Sequence, residues 1–323
     1  MAYSFTTGTS QTFAEFAVSI FDQMAPDFYE VKYPDYLWTE VLAKSQRKTN
    51  VSAGAQNYVQ PIRDMTGAAQ FMGKGASPKN IPSVGLALGL TTVPMAWSAV
   101  SATITTEDKR VYEHGNLGSL TTDLSKVERR ACENLIETSV FFGAPEVGFE
   151  GWLSYTGITA TNVAATGTGS STLWANKTTL QILDDINSAI EKVMSDSKYI
   201  MKPGFLYLPP AQYFMLSRPM VVGGVSTAVS ALEYIKKNNA YTALTGKELE
   251  IKSIRYLKEA GAGSTNRMVL MDQQDEYQMM PFPLPFTLLA PVPSALGAEI
   301  YAEQKFGSYT VFQKGSMQYF DGI

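Results

Sequence analysis

The chain has 323 residues and a net charge of −4, with 45% apolar and 17% charged residues. Its single cysteine, Cys132, excludes a disulfide within the chain, and this length can bury a large core without one. Basic residues form no run longer than a pair, so the sequence lacks the basic patch of a tight nucleic-acid binder. The low charged fraction fits either one large core or a surface covered by partners.

Neither secretion nor membrane insertion is indicated. Residues 1–11 are small and polar and do not form a charged region followed by an apolar one, as a signal peptide would. The longest apolar stretches, such as residues 286–292, contain proline and are far shorter than the ~20 residues of a membrane-spanning helix. We therefore expect a soluble protein made in a reducing compartment.

The first predicted element is an amphipathic helix over residues 12–25, which ends before Pro26. The residues that precede it are small and polar, so nothing local can cover its apolar face. We expect that face to dock on another element or on another subunit. The predicted contact residues of this N-terminal arm are Phe13, Phe16, Ile20 and Phe21.

Residues 46–82 are rich in small and polar residues and have a glycine-containing centre, GAAQFMGKGASPKN. Such a long excursion with little apolar content is either disordered or functional. One interpretation is a disordered loop; the other is a two-stranded arm that lies across a neighbouring subunit. For the arm, the predicted contact residues at its tip are Gly67, Gln70, Phe71, Met72, Gly73, Lys74 and Gly75.

The middle of the chain predicts a strand over residues 90–107 and a helix over residues 120–142. At 1.5 Å per residue the helix would be about 34 Å long, the longest rod in the chain. Gly143 follows it and is a suitable end signal. The predicted buried face of this helix is formed by Leu124, Val127, Ala131 and Leu135.

A Gly/Thr/Ala-rich connector over residues 148–172 is the best candidate domain boundary. After it, Thr178 and Gln181 have the spacing of a capping box at the start of a helix. The remaining pattern alternates short strands and helices. Strands are predicted over residues 205–208, 248–254, 267–271 and 298–319, and short helices over 211–217 and 230–238.

Residues able to carry catalysis are scarce. The one histidine, His114, is interpreted as a surface or turn residue, Cys132 as a packing residue, and no G-x-S-x-G motif is present. Without a Cys/His cluster there is no zinc pattern. We assign no catalytic, cofactor-binding or metal-binding residue. The acidic residues expected to lie in solvent are Asp184, Asp185, Asp272, Asp275 and Glu276.

The last 150 residues resemble the major capsid proteins of tailed bacteriophages. The matching segments are WANKTTLQILDDINSAIEKV (174–193), FLYLPPAQYFML (205–216), SALEYIKKNN (230–239), GSTNRMV (263–269) and FDGI (320–323). No single segment is diagnostic, but their ordered combination is fairly specific.

The resemblance implies an α+β fold that phage capsids share with encapsulins and the herpesvirus capsid floor. It implies an N-terminal arm, an extended loop, a peripheral domain with a long spine helix, and an axial domain. The corresponding residues are 1–45 for the arm, 46–82 for the loop, 83–151 and 291–323 for the peripheral domain, 120–142 for the spine helix, and 152–290 for the axial domain.

The function implied is a structural one. Hexamers and pentamers of the chain would form an icosahedral head around double-stranded DNA, which they contact weakly and non-specifically. Portal, scaffold and decoration proteins are possible further partners, and no membrane is expected. The protein would reside in the virion after assembly in the host bacterial cytoplasm. The alternatives are an encapsulin-like compartment and, from another class, a soluble enzyme such as a carbohydrate hydrolase.

Overall fold

Residues 85–105 carry no charged side chain and are rich in small and β-branched residues, a composition that favours a strand. In the computed structural model they form one continuous strand of 21 residues. Residues from Tyr36 to Ile323 form one compact unit around it. The structure describes residues 32–67, 69, 71, 83–115, 119–222 and 225–323.

The described residues contain seven α-helices. They are α1 (Trp38–Val41), α2 (Thr106–His114), α3 (Leu120–Phe142), α4 (Thr179–Asp196), α5 (Pro210–Leu216), α6 (Ala231–Lys237) and α7 (Ala240–Thr245). The predicted 120–142 helix is confirmed as α3 and ends at Gly143, whose φ of 78° suits a residue without a Cβ. The predicted capping box of α4 is also confirmed, between Thr178 and Gln181.

The strands of the described residues come in chain order as follows. They are β1 (Arg47–Lys48), β2 (Asn57–Thr66), β3 (Gly85–Thr105), β4 (Thr161–Asn162), β5 (Phe205–Leu208), β6 (Pro219–Val222), β7 (Val225–Ser230), β8 (Glu250–Ser253), β9 (Arg267–Met271), β10 (Gln278–Pro281), β11 (Leu284–Leu288), β12 (Val292–Ser294), β13 (Gly297–Gly307), β14 (Thr310–Val311) and β15 (Met317–Asp321).

A five-stranded sheet in the order β4-β15-β9-β5-β8 separates two hydrophobic cores. Side chains alternate between the faces of a strand, so neighbouring residues enter different cores. Tyr207 and Val269 lie in the first core, whereas Leu206 and Leu270 lie in the second. All five residues of β9 are buried because both faces of the sheet are covered.

The two cores use different helices. α3 and the buried Trp152 contribute to the first core, and α4 contributes to the second. The α4 residues of the second core are Ile182, Ile186, Ala189, Ile190, Val193 and Met194. The terminal strand β15 lies between β4 and β9 in the shared sheet. The predicted peripheral domain, residues 83–151 and 291–323, includes β15.

A second five-stranded sheet has the order β11-β13-β3-β2, with β12 paired to β13. β13 pairs with the second half of β3, from Met95 to Thr105. β2 pairs with the first half, from Gly85 to Pro94, on the opposite side of β3. The smaller sheets are β1-β10-β14 and the hairpin β6-β7.

The buried salt bridge between Arg267 and Asp321 fixes the C-terminal strand to β9. Nε of Arg267 donates to Oδ1 of Asp321 at 2.6 Å, and Nη2 donates to Oδ2 at 2.8 Å. A third guanidinium nitrogen donates to the carbonyl of Leu153. Two parallel hydrogen bonds with opposite charges make this the strong, bidentate type of pair.

The buried carboxylate of Glu137 on α3 joins three parts of the chain. Its Oε2 accepts a hydrogen bond from the backbone N–H of Leu37 at 2.8 Å, and Oε1 accepts one from the hydroxyl of Tyr256 at 2.8 Å. Arg255 also forms an ion pair with it. Glu137 therefore links the residues just before α1 to α3 and to the segment that follows β8.

Replacing Glu137 with leucine should lower the free energy of unfolding of the subunit by about 3 kcal/mol, because it leaves buried donors without an acceptor. The matched control is Glu133→Leu on the same helix, whose less deeply buried carboxylate accepts a hydrogen bond from the Trp38 indole at 3.2 Å. Urea denaturation of unassembled subunits measures both changes. Equal effects of the two variants would contradict the role of Glu137.

No helix among the described residues is long and apolar enough to cross a membrane.

Candidate assembly surfaces

β2 and the first half of β3 form a two-stranded antiparallel ribbon that projects apolar side chains into solvent. Residues that face each other across the ribbon share one of its two faces. Leu86, Leu88 and Leu90 pair with Met65, Arg63 and Pro61. We call this surface the leucine face; it consists of Val59, Pro61, Arg63, Met65, Leu86, Leu88 and Leu90.

Exposure of the leucine face is high for apolar side chains. Leu86, Leu88 and Leu90 are 56%, 69% and 73% exposed, and Met65 is 82% exposed. Scattered exposed leucines are ordinary, but a contiguous apolar surface marks an interaction site. Arg63 is the one charged residue of this face.

The opposite face of the ribbon has a different composition. Its side chains are mostly small or polar, and Ile62 is its largest exposed aliphatic group. The members of this face are Tyr58, Gln60, Ile62, Asp64, Thr66, Gly85, Ala87, Gly89, Thr91 and Val93. The ribbon is therefore amphipathic, with the leucine face as the surface that needs a cover.

The ribbon excludes the disordered-loop interpretation for residues 57–66, which form β2, and leaves the two-stranded arm. At the tip, Phe71 is fully exposed. Gly67 is explained by close approach, since a Cβ there would lie 2.5 Å from Cγ1 of Val84. The predicted contact residues Gln70, Met72, Gly73, Lys74 and Gly75 lie outside the described residues, as do Phe13, Phe16, Ile20 and Phe21 of the arm.

Leu86, Leu88 and Leu90 were missed by the sequence reasoning. Their signal is period-two spacing in the segment GLALGL, which indicates one face of a strand. The interrupting glycines and alanine make the segment look like part of a flexible loop. The predicted strand consequently began at residue 90, five residues later than β3 does.

The second candidate surface is the outer face of α3, and here the predicted packing is wrong. Cys132, Ile136 and Val140 are buried, whereas Val127 and Leu135 are 62% and 43% exposed. α3 is apolar on both sides, so periodicity selected the face that the subunit leaves open. The exposed apolar residues of α3, which we call the α3 stripe, are Val127, Ala131, Leu135 and Phe142.

The buried face of α3 includes a carboxyl group, which explains why periodicity did not select it. Glu128 is 2% exposed, and neither carboxylate oxygen has a side-chain partner among the described residues. Burial raises the pKa of Glu128, which favours its neutral form between helix and sheet. Because a glutamate occupies a core position of the helix, the sequence pattern makes the buried face look polar and therefore solvent-exposed.

Two of the acidic residues predicted to be solvated are in fact buried. Asp185 is 5% exposed, and Oδ2 accepts hydrogen bonds from Lys177 at 2.6 Å and from the Trp174 indole at 3.0 Å. Asp272 accepts a hydrogen bond from the backbone N–H of Lys202 at 2.9 Å, and burial raises its pKa. Both carboxylates have a structural role in the fold.

Other candidate chemical groups stand apart from one another. His114 is exposed, as predicted for a surface residue, and it is the last residue of α2. Cys132 is buried, as expected for a packing residue. Within the part of the chain that the structure describes, no group of three or more His, Cys, Asp or Glu side chains could hold a metal ion.

Comparison with solved structures identifies the fold. The capsid of Myoviridae phage XM1 superposes with a TM-score of 0.73 and 12% identity, over 94% of this chain and 97% of that one. The structure from Mycobacterium phage Ogopogo superposes with a TM-score of 0.55 and 15% identity, over 96% of this chain and 99% of that one. A virus-like particle from Pyrococcus furiosus superposes with a TM-score of 0.51 and 13% identity, over 87% of this chain and 92% of that one. At these identities the likeness concerns the fold, and it confirms the predicted α+β capsid fold.

No curated protein sequence matches the chain significantly. The model of one family, described as the major capsid protein, matches residues 67–323. That match includes the β3 half of the ribbon, α3, both five-stranded sheets apart from β2, and the C-terminal strand. The match to the family model and the capsid fold agree with the resemblance in the second half of the sequence, and the chain belongs to the major capsid protein family of tailed phages.

Proposed function

We propose that the chain assembles through its exposed apolar surfaces, as hexamers and pentamers, into an icosahedral head around double-stranded DNA. The observation that carries this proposal is the leucine face, which a lone subunit leaves in water. Covering apolar surface stabilises by about 25 cal/mol per Å². Each subunit contact should be heterologous, because a ring closes when one surface meets a different one on the next copy.

The α3 stripe of a neighbouring copy is the proposed cover for the leucine face. Both surfaces are exposed and apolar, and the four members of the stripe carry no charge. Arg63 lies on the outer strand of the ribbon, so its long side chain can keep its guanidinium in water while its stem covers apolar surface. The amphipathic residues 12–25 would add a second contact between copies.

The proposed domain organisation follows the order of elements. Residues 1–45 are the arm, 46–82 the extended loop, 83–151 and 291–323 the peripheral domain, and 152–290 the axial domain. β3 and β13 support the peripheral grouping, since they pair over eleven residues. β15 lies in the shared sheet, so it would join the two domains through its antiparallel pairing with β9.

We further propose that the protein has no catalytic role, resides in the virion and is assembled in the host bacterial cytoplasm. A net charge of −4 favours loose, non-specific contact with the packaged DNA, since tight binding needs many basic contacts to phosphates. Portal, scaffold and decoration proteins would be additional partners. Particle contents test the encapsulin alternative, since that reading requires protein cargo in place of DNA.

Deleting residues 70–76 should leave a foldable subunit but abolish stable shells. The deleted residues belong to the predicted tip of the arm, and Phe71, the described residue among them, is fully exposed. Circular dichroism would report the fold, and sedimentation with negative-stain microscopy would report shells of megadalton size. Normal particles from the deletion variant would overturn the proposed contact at the tip.

A further inference from the structure

The first half of β3 has one unpaired edge. Its odd-numbered residues pair with β2, and its even-numbered residues direct their backbone groups to the other side. Flanking contacts establish this direction: the N–H of Met95 donates to Gln56 beside β2, at 3.0 Å, and the carbonyl of Pro94 accepts from Ser308 beside β13, also at 3.0 Å. β13 ends at Gly307, so residues 85–93 have no strand on that side within the described chain.

The outer edge of β2 is unsuited to pairing. Pro61 lies opposite Leu90, at a position whose backbone nitrogen points away from β3. Proline carries no N–H, so it removes a donor from the middle of that edge, a common way to block strand addition. The ribbon therefore has one blocked edge and one open edge.

The open edge and the leucine face belong to the same residues. Leu86, Leu88 and Leu90 have outward-directed backbone groups and exposed side chains. An added strand would hydrogen-bond to this edge, and its alternate side chains would extend the leucine face. No charged residue lies between residues 85 and 105, so the complementary strand should be uncharged along its length.

We propose that residues 2–8 (AYSFTTG) of a second copy of this chain add to this edge as a β-strand, an inference that rests on the proposed assembly into shells. This segment is uncharged and free of proline, and the first charged side chain of the whole chain is that of Glu15. Tyr3 and Phe5 share one face of an extended strand, and aromatic–aliphatic pairs across strands are favourable.

Chain length allows the contact. Thirty-one residues precede the first described residue, Lys32. With residues 12–25 as the predicted helix and the other seventeen residues extended, they span up to about 75 Å, more than the roughly 50 Å width of one subunit of this size. Seven residues match the seven positions from Gly85 to Thr91, a register that places Phe5 opposite Leu88 and Tyr3 opposite Leu86 or Leu90.

Disulfide cross-linking between two different single-cysteine proteins tests the inference. One protein carries Phe5→Cys, the other carries Leu86→Cys, Leu88→Cys or Leu90→Cys, and all carry Cys132→Ala. Because each chain has one cysteine, a heterodimer reports contact between copies. After oxidation of co-assembled shells, at least one leucine position should give roughly tenfold more heterodimer than Ala87→Cys, whose side chain lies on the opposite ribbon face.

The possible outcomes separate the inference from the proposed function. Shells without a heterodimer at any of the three positions, or with an equal yield at Ala87, would overturn the strand addition alone. Cross-links between two Leu88→Cys chains in place of heterodimers would show that the edge pairs with itself, which also overturns it. Failure of the unmodified chain to form shells would overturn the proposed function.

Hydrogen exchange provides a measurement that needs no cysteine variants. The amides of Leu86, Leu88 and Leu90 should exchange at least about tenfold more slowly in shells than in free subunits, because the added strand accepts their hydrogen bonds. Deleting residues 2–8 should abolish this protection. Equal protection in shells of the deletion variant would overturn the assignment of this segment as the partner strand.

Discussion

Replacing Leu88 with aspartate should abolish shell formation while leaving the subunit folded. Leu88 is 69% exposed and lies at the centre of the leucine face, so its side chain contributes little to the core. In the assembly, a carboxylate at this position would be buried against apolar groups, which costs several kcal/mol per subunit contact. Repeated over every contact of a shell, this cost should reduce particle yield to background in sedimentation.

The matched control for Leu88→Asp is Ala87→Lys, one residue earlier on the opposite face. Each variant places its new charge across from an opposite one, because Leu88 pairs with Arg63 and Ala87 pairs with Asp64. Both variants should therefore retain the wild-type melting temperature. Shells from Leu88→Asp, or their loss in Ala87→Lys, would contradict the leucine face as the assembly surface.

Replacing Asp321 with alanine should lower the free energy of unfolding by about 3–5 kcal/mol, because Arg267 is then left buried and unpaired. The double variant Arg267→Met, Asp321→Leu removes both charges and should recover most of the loss. An exposed-pair control, Asp196→Ala, removes the partner of Lys192 and should leave stability unchanged within measurement. Urea denaturation of subunits at pH 7 gives all three values.

The same pair predicts a dependence on pH. Burial alone would raise the pKa of Asp321, but the hydrogen bonds and charge of Arg267 and the amide of Ala262 outweigh it and lower that pKa. The stabilisation is therefore fully present above the unfolded-state pKa of about 4 and is lost as pH falls through the lower folded-state value. The difference in the free energy of unfolding between wild type and Asp321→Ala should become smaller only below about pH 4. A difference that disappears near neutral pH would contradict the ion pair.

Local signals predicted α3, α4, α5, α6 and several core strands well, whereas α1, α2 and α7 were not predicted. Thr178 and Gln181 cap α4 through contacts between near neighbours in sequence, and Gly143 ends α3 through its own backbone conformation. Such signals depend on a few adjacent residues. The structure therefore reproduces them wherever tertiary packing agrees with local preference.

The surfaces were harder to predict, because a subunit made for an assembly has apolar residues at more than one interface. On α3, Val127 and Ile136 are equally apolar, yet one is exposed and the other is buried. Asp185 was predicted to lie in solvent because the helical pattern of α4 does not show its partner. That partner, Lys177, lies before α4 and is brought to it by the fold. Sequence periodicity identifies a face that needs a cover but not whether the same chain provides it.

Because β3 is continuous, the ribbon is anchored at one end in the body sheet and is free to bend at the other. One strand belongs to the body sheet through Met95–Thr105 and to the ribbon through Gly85–Pro94, so the ribbon has no separate hinge. Its free half is about 33 Å long, and two-stranded ribbons twist more readily than wide sheets. A bend of about 10° at the root would move the end of β3 by about 6 Å over this length. In the proposed shell, elastic bending of this single strand would let identical subunits meet neighbours at both five-fold and six-fold positions.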